Sequence, residues 1–336
     1  MEKQKSSSSI FNKIMSNHLT PLILLLIIMI VVFTFWSRAV GANFLQASTF
    51  RNILQSLVVS GFLAIGSGCL LIGGNLDLSE SAIGATGGIL MGQFILRLGM
   101  PWWLAIIVML VVCAAFGLGN GLLVTKLRFP AFIATLATSY MIKGLMYIIS
   151  SLGTSSGTAQ NINFVSEPVG FIGTYKIGGY MPLSVIVLII FFIVFGILMS
   201  RTTFGQKVAM LGSNPVAANL AGINATQIII ILFVLSGVMG GVAGLFNTAR
   251  LQQGSLTALS TNQFTGLTAA MLGGISFGGG TGGMLGVFIG LLILNTFQIG
   301  MSVVGLNVYL VNVFSGALLL IALALDFIQR RRAGRL

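Results

Sequence analysis

The chain has 336 residues, of which 56% are hydrophobic and only 7% charged, with a formal net charge of +12. A soluble globular domain carries about 25% charged residues, so this composition excludes one and belongs in a bilayer. A charge of +12 would suit nucleic acid in a soluble protein, but here the positions of the charges explain it without any nucleic-acid partner.

Lys3, Lys5 and Lys13 precede the first apolar run, 19–36. Arg38, Val40 and Asn43 follow it in place of a small-residue cleavage site, so the run reads as a retained first helix rather than a signal peptide. At roughly 20 apolar residues per crossing, further spans are expected at 53–73, 82–98, 101–125, 130–150, 182–200, 226–248, 265–280, 283–303 and 307–327. The Gly-rich segment 265–280 reads as a span or as a broken, re-entrant piece. The expected fold is therefore all-α and polytopic, with about ten transmembrane helices. These divide five plus five, and an odd half would invert the second relative to the first, a common transporter design. Gly73-Gly74-Asn75-Leu76-Asp77-Leu78-Ser79 and the tract Gly273 to Gly283 each interrupt an apolar segment. They mark such a repeat or are alike by chance.

Ten crossings place both termini on one side. The loops and tails on that side carry Lys3, Lys5, Lys13, Lys126, Arg128, Arg201, Lys207, Arg330, Arg331, Arg332 and Arg335. Arg38, Arg51, Arg97, Lys143, Lys176 and Arg250 are external or intramembrane. Basic residues concentrate on cytoplasmic loops, so both termini are expected in the cytoplasm. The organisation is then a cytoplasmic tail 1–18, one transmembrane domain 19–328 and a basic cytoplasmic tail 329–336. The loop 152–181 falls outside, as a docking surface or a plain connection, with a short hairpin expected between Phe171-Ile172-Gly173 and Tyr175-Lys176-Ile177.

No catalytic set is visible. His18 is the sole histidine, Cys69 and Cys113 sit inside apolar runs as small core residues, and no phosphate-cradling Gly-x-x-x-x-Gly-Lys-Ser/Thr occurs. No metal, cofactor or enzymatic activity is expected, and energy for transport would come from a separate ATPase, an ion gradient or nothing. Asp77 and Glu80 directly follow one apolar span and precede another. An ionisable group at such depth is a functional candidate, although Asp77 or Ser79 would also serve as an ordinary N-cap. Asn75, Asn120, Thr135, Thr138, Ser139, Asn247, Asn295 and Gln298 are either interhelical hydrogen-bonding groups or pathway contacts; Asn75, Asp77, Ser79, Asn120, Asn247 and Asn295 form the candidate pathway set. Dense small residues, such as Gly237, Gly240, Gly241 and Gly244, permit close helix approach, for static packing or for sliding.

The most informative stretch is 201–224, a polar, basic island between two apolar spans. Asn214 is a good N-cap, Pro215 suits a first helical position and Gly222 a stop. These signals predict a two-turn helix, Pro215 to Ala221, held at the membrane surface, where it is placed to touch a partner.

Three segments together resemble the permease subunits of bacterial ABC importers for monosaccharides of the ribose, galactose and xylose type. Gly73 to Ser79 is similar to that family's Gly-Gly-x-Asp-Leu-Ser signature. Thr203-Phe204-Gly205 with Gly212 to Asn224 is similar to its cytoplasmic Gly-x-Asn-x-x-Ala-Ala-x-x-Ser-Gly-Ile loop, followed by Leu235-Ser236-Gly237. Leu272 to Gly282 is similar to its Gly-Gly-x-Ser-x-x-Gly-Gly-x-Gly segment. Order and spacing agree over about residues 50–328. Glu80-Ser81 replaces the family's usual Val-Gly, and Gln263-Phe264 its usual Glu-Leu. The resemblance implies a type II-like importer permease in a bacterial inner membrane, paired with a second permease copy of the same or another kind and bathed in membrane lipid. A cytoplasmic ATPase and an extracytoplasmic sugar-binding protein complete the assembly. It implies that Gly205, Gly212, Asn214, Pro215, Ala217, Ala218 and Gly222 form the element on which the ATPase pushes. A permease for nucleosides or other small neutral solutes would share much of the pattern; a gradient-driven carrier would have no use for the helix after Asn214.

Overall fold

The computed structural model describes residues 19–179 and 181–332. Lys3, Lys5, Lys13, His18 and Arg335, with the expected tail 1–18, lie outside the described residues. Among those described the fold is all-α and polytopic. The long apolar helices are α1 (Thr20–Ala39), α2 (Ala47–Ile72), α3 (Glu80–Leu96), α4 (Trp102–Thr125) and α5 (Ala131–Ser151). A short α6 (Glu167–Thr174) follows, then α7 (Leu183–Arg201), α8 (Thr203–Ser213), α9 (Pro215–Leu220), α10 (Ala225–Leu251), α11 (Thr265–Leu272), α12 (Met284–Val303) and α13 (Val308–Arg332). Each of the six prolines stands within one residue of a helix start, where its missing N–H removes no intrahelical bond.

Eight described helices are long and apolar enough to cross a membrane. The other two expected spans are shorter: α3 has 17 residues and α11 only 8. The segment expected at 265–280 is therefore a half-length helix followed by irregular chain. Its stop is built from Gly273 and Gly274, with Gly274 N bonded to Met271 O and Ile275 N to Ala270 O. The same pair of bonds closes α2, from Gly74 N to Leu71 O and from Asn75 N to Leu70 O. Gly74 and Gly274 have φ of +75° and +87°, the left-handed conformation that only glycine adopts without strain.

The helix α10 is the axis of the bundle and packs against α2, α3 and α4. At its crossing with α3, a Cβ on Gly240 would lie 2.6 Å from the Glu80 carbonyl, and one on Gly244 would strike the Gly84 carbonyl. Backbones this close bring many weak dispersion contacts into play, which supplies attraction where lipid is as apolar as the helices. Phe62, Leu63, Ile65, Leu70, Leu71 and Phe233 are fully buried around α10. By contrast, α1 and α7 turn Ile27, Val31, Ile193 and Val194 outward.

The loop after α5 covers the end of the bundle opposite α8 and α9. Two-residue ladders pair β1 (Ile162–Asn163) with β4 (Gln253–Gly254), and β2 (Lys176–Ile177) with β3 (Met181–Pro182), both antiparallel. The expected hairpin is thus displaced by one arm. Phe171-Ile172-Gly173 belongs to α6, which starts at Glu167-Pro168, and Ile177 turns back through Gly178 and Gly179 at φ +61° and +78°. Gly173 packs directly on the backbone of Ala249 and Arg250, so α6 lies across the end of α10.

Candidate functional site

The polar island folds into α8 and α9. Thr202 caps α8 by accepting from Gly205 N at 3.3 Å, and Asn214 caps α9 by accepting from Ala217 N at 3.0 Å. A Cβ on Gly205 would strike the Met199 carbonyl, so glycine there lets α8 fold back against the end of α7. Ile223 N bonds Ala218 O and Gly222 N bonds Asn219 O, with Gly222 at φ +77°, which ends α9 one residue before the expected Ala221. Ala218 is completely buried, whereas Val216 and Leu220 are 69% and 86% exposed. One face of α9 is clamped to the protein, and the other holds two aliphatic side chains out.

Beneath α9 lies a junction made of backbone. Gly212 sits where a Cβ would strike the Ile72 carbonyl and lie 2.6 Å from the Gly280 nitrogen. Gly280 N donates to Ile72 O at 2.8 Å. A Cβ on Gly279 would lie 2.8 Å from Gly74, and one on Gly280 2.5 Å from Ser213. Three segments far apart in the chain, 72–74, 212–213 and 279–280, thus interlock almost wholly through backbone, the Cβ of Ser213 being the side-chain atom at the closest approach to Gly280. Interiors packed this tightly transmit displacement rather than absorb it.

The chain between Gly74 and α3 leads from this junction to a buried polar cluster. Asp77 Oδ1 accepts from Ser79 N at 2.7 Å and Ser79 Oγ at 2.6 Å, and Ser79 Oγ accepts from Asn120 Nδ2 at 2.7 Å. Ser236 Oγ on α10 lies 2.7 Å from Asp77 Oδ2 and 2.6 Å from Glu80 Oε1; Ser67 Oγ donates to Glu80 Oε2 at 2.7 Å. Leu78 N donates to Thr135 Oγ1 on α5 at 3.1 Å. The two buried carboxyl groups tie α2, α3 and α10, and the bonds from Asn120 to Ser79 and from Leu78 to Thr135 add α4 and α5 to the same cluster. Neither Asp77 nor Ser79 acts as a side-chain N-cap for α3.

Of the six pathway candidates, Asp77, Ser79 and Asn120 meet here, and all three are buried. Asn295 is elsewhere, donating to Ser60 Oγ at 3.1 Å and Leu291 O at 2.9 Å. Asn75 binds the Gly73 carbonyl at 3.2 Å, and Asn247 on α10 stands apart from the cluster. Asn120 and Asn295 thus bond between helices, whereas Asn75 bonds within its own turn. Glu80 and Ser236 stood in view as a departure from, and a part of, the motifs; Ser67, midway along an apolar run, gave no signal.

A profile of the family described as "Branched-chain amino acid transport system / permease component" matches residues 49–323. The ribose import permease protein RbsC of Bacillus subtilis (strain 168) is 31% identical over 308 residues, covering 92% of each chain. The fructose import permease protein FrcC of Rhizobium meliloti is 30% identical over 311 residues, 92% of this chain and 86% of that protein. The L-arabinose transport system permease protein AraH of Escherichia coli (strain K12) is 30% identical over 284 residues, 84% of each. No solved structure matches the chain.

Proposed function

We propose a function from one premise: the chain belongs to the family of branched-chain amino acid transport system permease components. It is the membrane-spanning permease subunit of an ABC importer, and its solute is a monosaccharide, the class for which the relatives above are named. It is not an enzyme; ATP is hydrolysed by a separate subunit docked on α8 and α9. A sugar-binding protein delivers solute at the opposite face, over α6 and the short ladders. Two copies enclose the pathway in a bacterial inner membrane, with α8, α9 and both termini in the cytoplasm.

The observation that carries this reading is the seating of α9. An element with Val216 and Leu220 extended outward and Ala218 buried is shaped to receive a partner. The glycine junction behind it leads from that partner to the α2–α3 break and the tract before α12. A carrier driven by a gradient has no use for such a lever. The test is reconstitution in proteoliposomes with the ATPase and binding protein, measuring uptake of labelled ribose, fructose, arabinose and xylose. Uptake that follows an ion gradient without ATP would overturn the reading.

A further inference from the structure

Lys143 is the one described basic residue in the interior of a membrane helix. The others lie near helix ends, in the short α8, or in loops. Lys143 stands about 18 Å along α5 from Ala131 and about 12 Å from Ser151, at 1.5 Å per residue. That depth is beyond the helix-end positions from which lysines reach the interface. Among the described residues its partner is the Tyr140 ring, with Nζ 5.7 Å from the centroid. The carboxyl groups of Asp77 and Glu80 are engaged by serines instead.

The outward surface of α5 is mixed: Met141, Leu145 and Ile148 are exposed on one side of it, and the side nearer the half-buried Lys143 carries tyrosines and a glycine. Tyr140 is 70% exposed, Tyr147 is also exposed, and a Cβ on Gly144 would meet open space. Spacings of three and four place Ala137, Tyr140, Gly144 and Tyr147 on one stripe of α5, with Lys143 at its edge. On α7 the exposed large side chains before its polar end at Ser200-Arg201 are Ile190, Ile193, Val194 and Ile197. Hydrocarbon cannot solvate an ammonium group, and intramembrane charges face water or protein.

We infer that this stripe of α5 lines the water-filled pathway, with Lys143 and Tyr140 contacting the passing solute. This rests on the reading that two copies enclose a sugar pathway. The ammonium donates hydrogen bonds to hydroxyl oxygens, and the tyrosine ring takes an apolar C–H face of the sugar. Two copies present two lysines to one lumen, so the pathway admits neutral or anionic polyols and rejects cations.

The test uses Lys143→Cys, Tyr147→Cys and, as a lipid-facing control, Val194→Cys, each in the complete importer in proteoliposomes. A charged, membrane-impermeant thiosulfonate is applied; the unsubstituted protein, whose Cys69 and Cys113 are buried, sets the background. Thiolates form in water, not in hydrocarbon, so positions 143 and 147 should react about tenfold faster than 194 or more. Modification at 143 should block ribose and fructose uptake. Reaction at 143 and 147 as slow as at 194, in an importer whose unsubstituted form takes up sugar with ATP, would overturn this inference alone. Absence of ATP-driven uptake in the unsubstituted importer would instead overturn the proposed function, while the labelling still decides whether α5 faces water. Lys143→Met should raise the KM for the transported sugar about tenfold, one lost hydrogen bond to a charged donor, and Lys143→Arg should restore it. An unchanged KM in Lys143→Met would remove the solute contact.

Discussion

Gly212→Ala adds one methyl group at the junction under α9. Its neighbours are the Ile72 carbonyl and the Gly280 nitrogen, 2.6 Å from the new carbon in the second case. Both are backbone atoms of other segments, so no side chain can swing aside. Overpacking of this kind costs about 1–3 kcal/mol. Relieving it separates Gly280 N from Ile72 O, a bond worth about 0.5–1.5 kcal/mol. Together these come to about 1.5–4.5 kcal/mol against the interlocked arrangement, a shift of about 10- to 1600-fold in its population at 1.4 kcal/mol per factor of ten. The lesion is local, because the spans and their glycine crossings are untouched. In proteoliposomes with the ATPase and binding protein, ATP hydrolysis should continue while sugar uptake falls at least about tenfold. Gly222→Ala is the comparison: it meets open space and costs only the left-handed backbone, about 1–2 kcal/mol. Wild-type uptake by a normally expressed Gly212→Ala protein would refute transmission through the junction.

Other outcomes follow from particular contacts. Val216→Asp and Leu220→Asp alter exposed side chains, so the subunit should fold and melt normally yet lose its ATPase in co-purification. Ala218→Arg introduces a long charged chain where nothing is exposed; its yield of folded protein should collapse, so it does not isolate coupling from folding. Ser236→Ala leaves two buried carboxyl groups without their shared hydroxyl. A loss of about 1–3 kcal/mol for each unsatisfied group should lower the melting temperature in detergent, and an unchanged melt would mean the cluster ties nothing. Gly244→Val drives two methyl groups toward the Gly84 carbonyl, which should prevent α3 from seating on α10, read as failure to elute as a monodisperse species.

Much of the chain declared itself through local chemistry. Asn214 and Gly222 act through bonds to residues three positions away and Pro215 through its own fixed backbone, so their roles in α9 were readable from the order of residues. The long apolar runs were legible for the same reason, since a span is a property of one segment. What hydropathy could not show was which face of a span points inward. Asp77, Ser79 and Asn120 meet because α4 crosses the α2–α3 break, whereas Asn295 reaches Ser60 instead. For 265–280 the glycines left a span and a broken piece both open, and the structure decides for the break, because Gly273 and Gly274 end α11 after Leu272. Lys143 was visible as a charge among apolar residues, but only the packed α5 shows its outward stripe.

The junction at Gly74, Gly212, Gly279 and Gly280 also divides the positions free to vary from those that are not. These four glycines carry no side chains, so a substitution at any of them adds atoms where backbone or the Ser213 Cβ already lies. On the docking proposed for α9, matching this subunit to a different ATPase would proceed through Val216, Asn219 and Leu220, which are exposed. An engineer seeking to swap partners would redraw those three outward positions and leave the hidden lever as it stands.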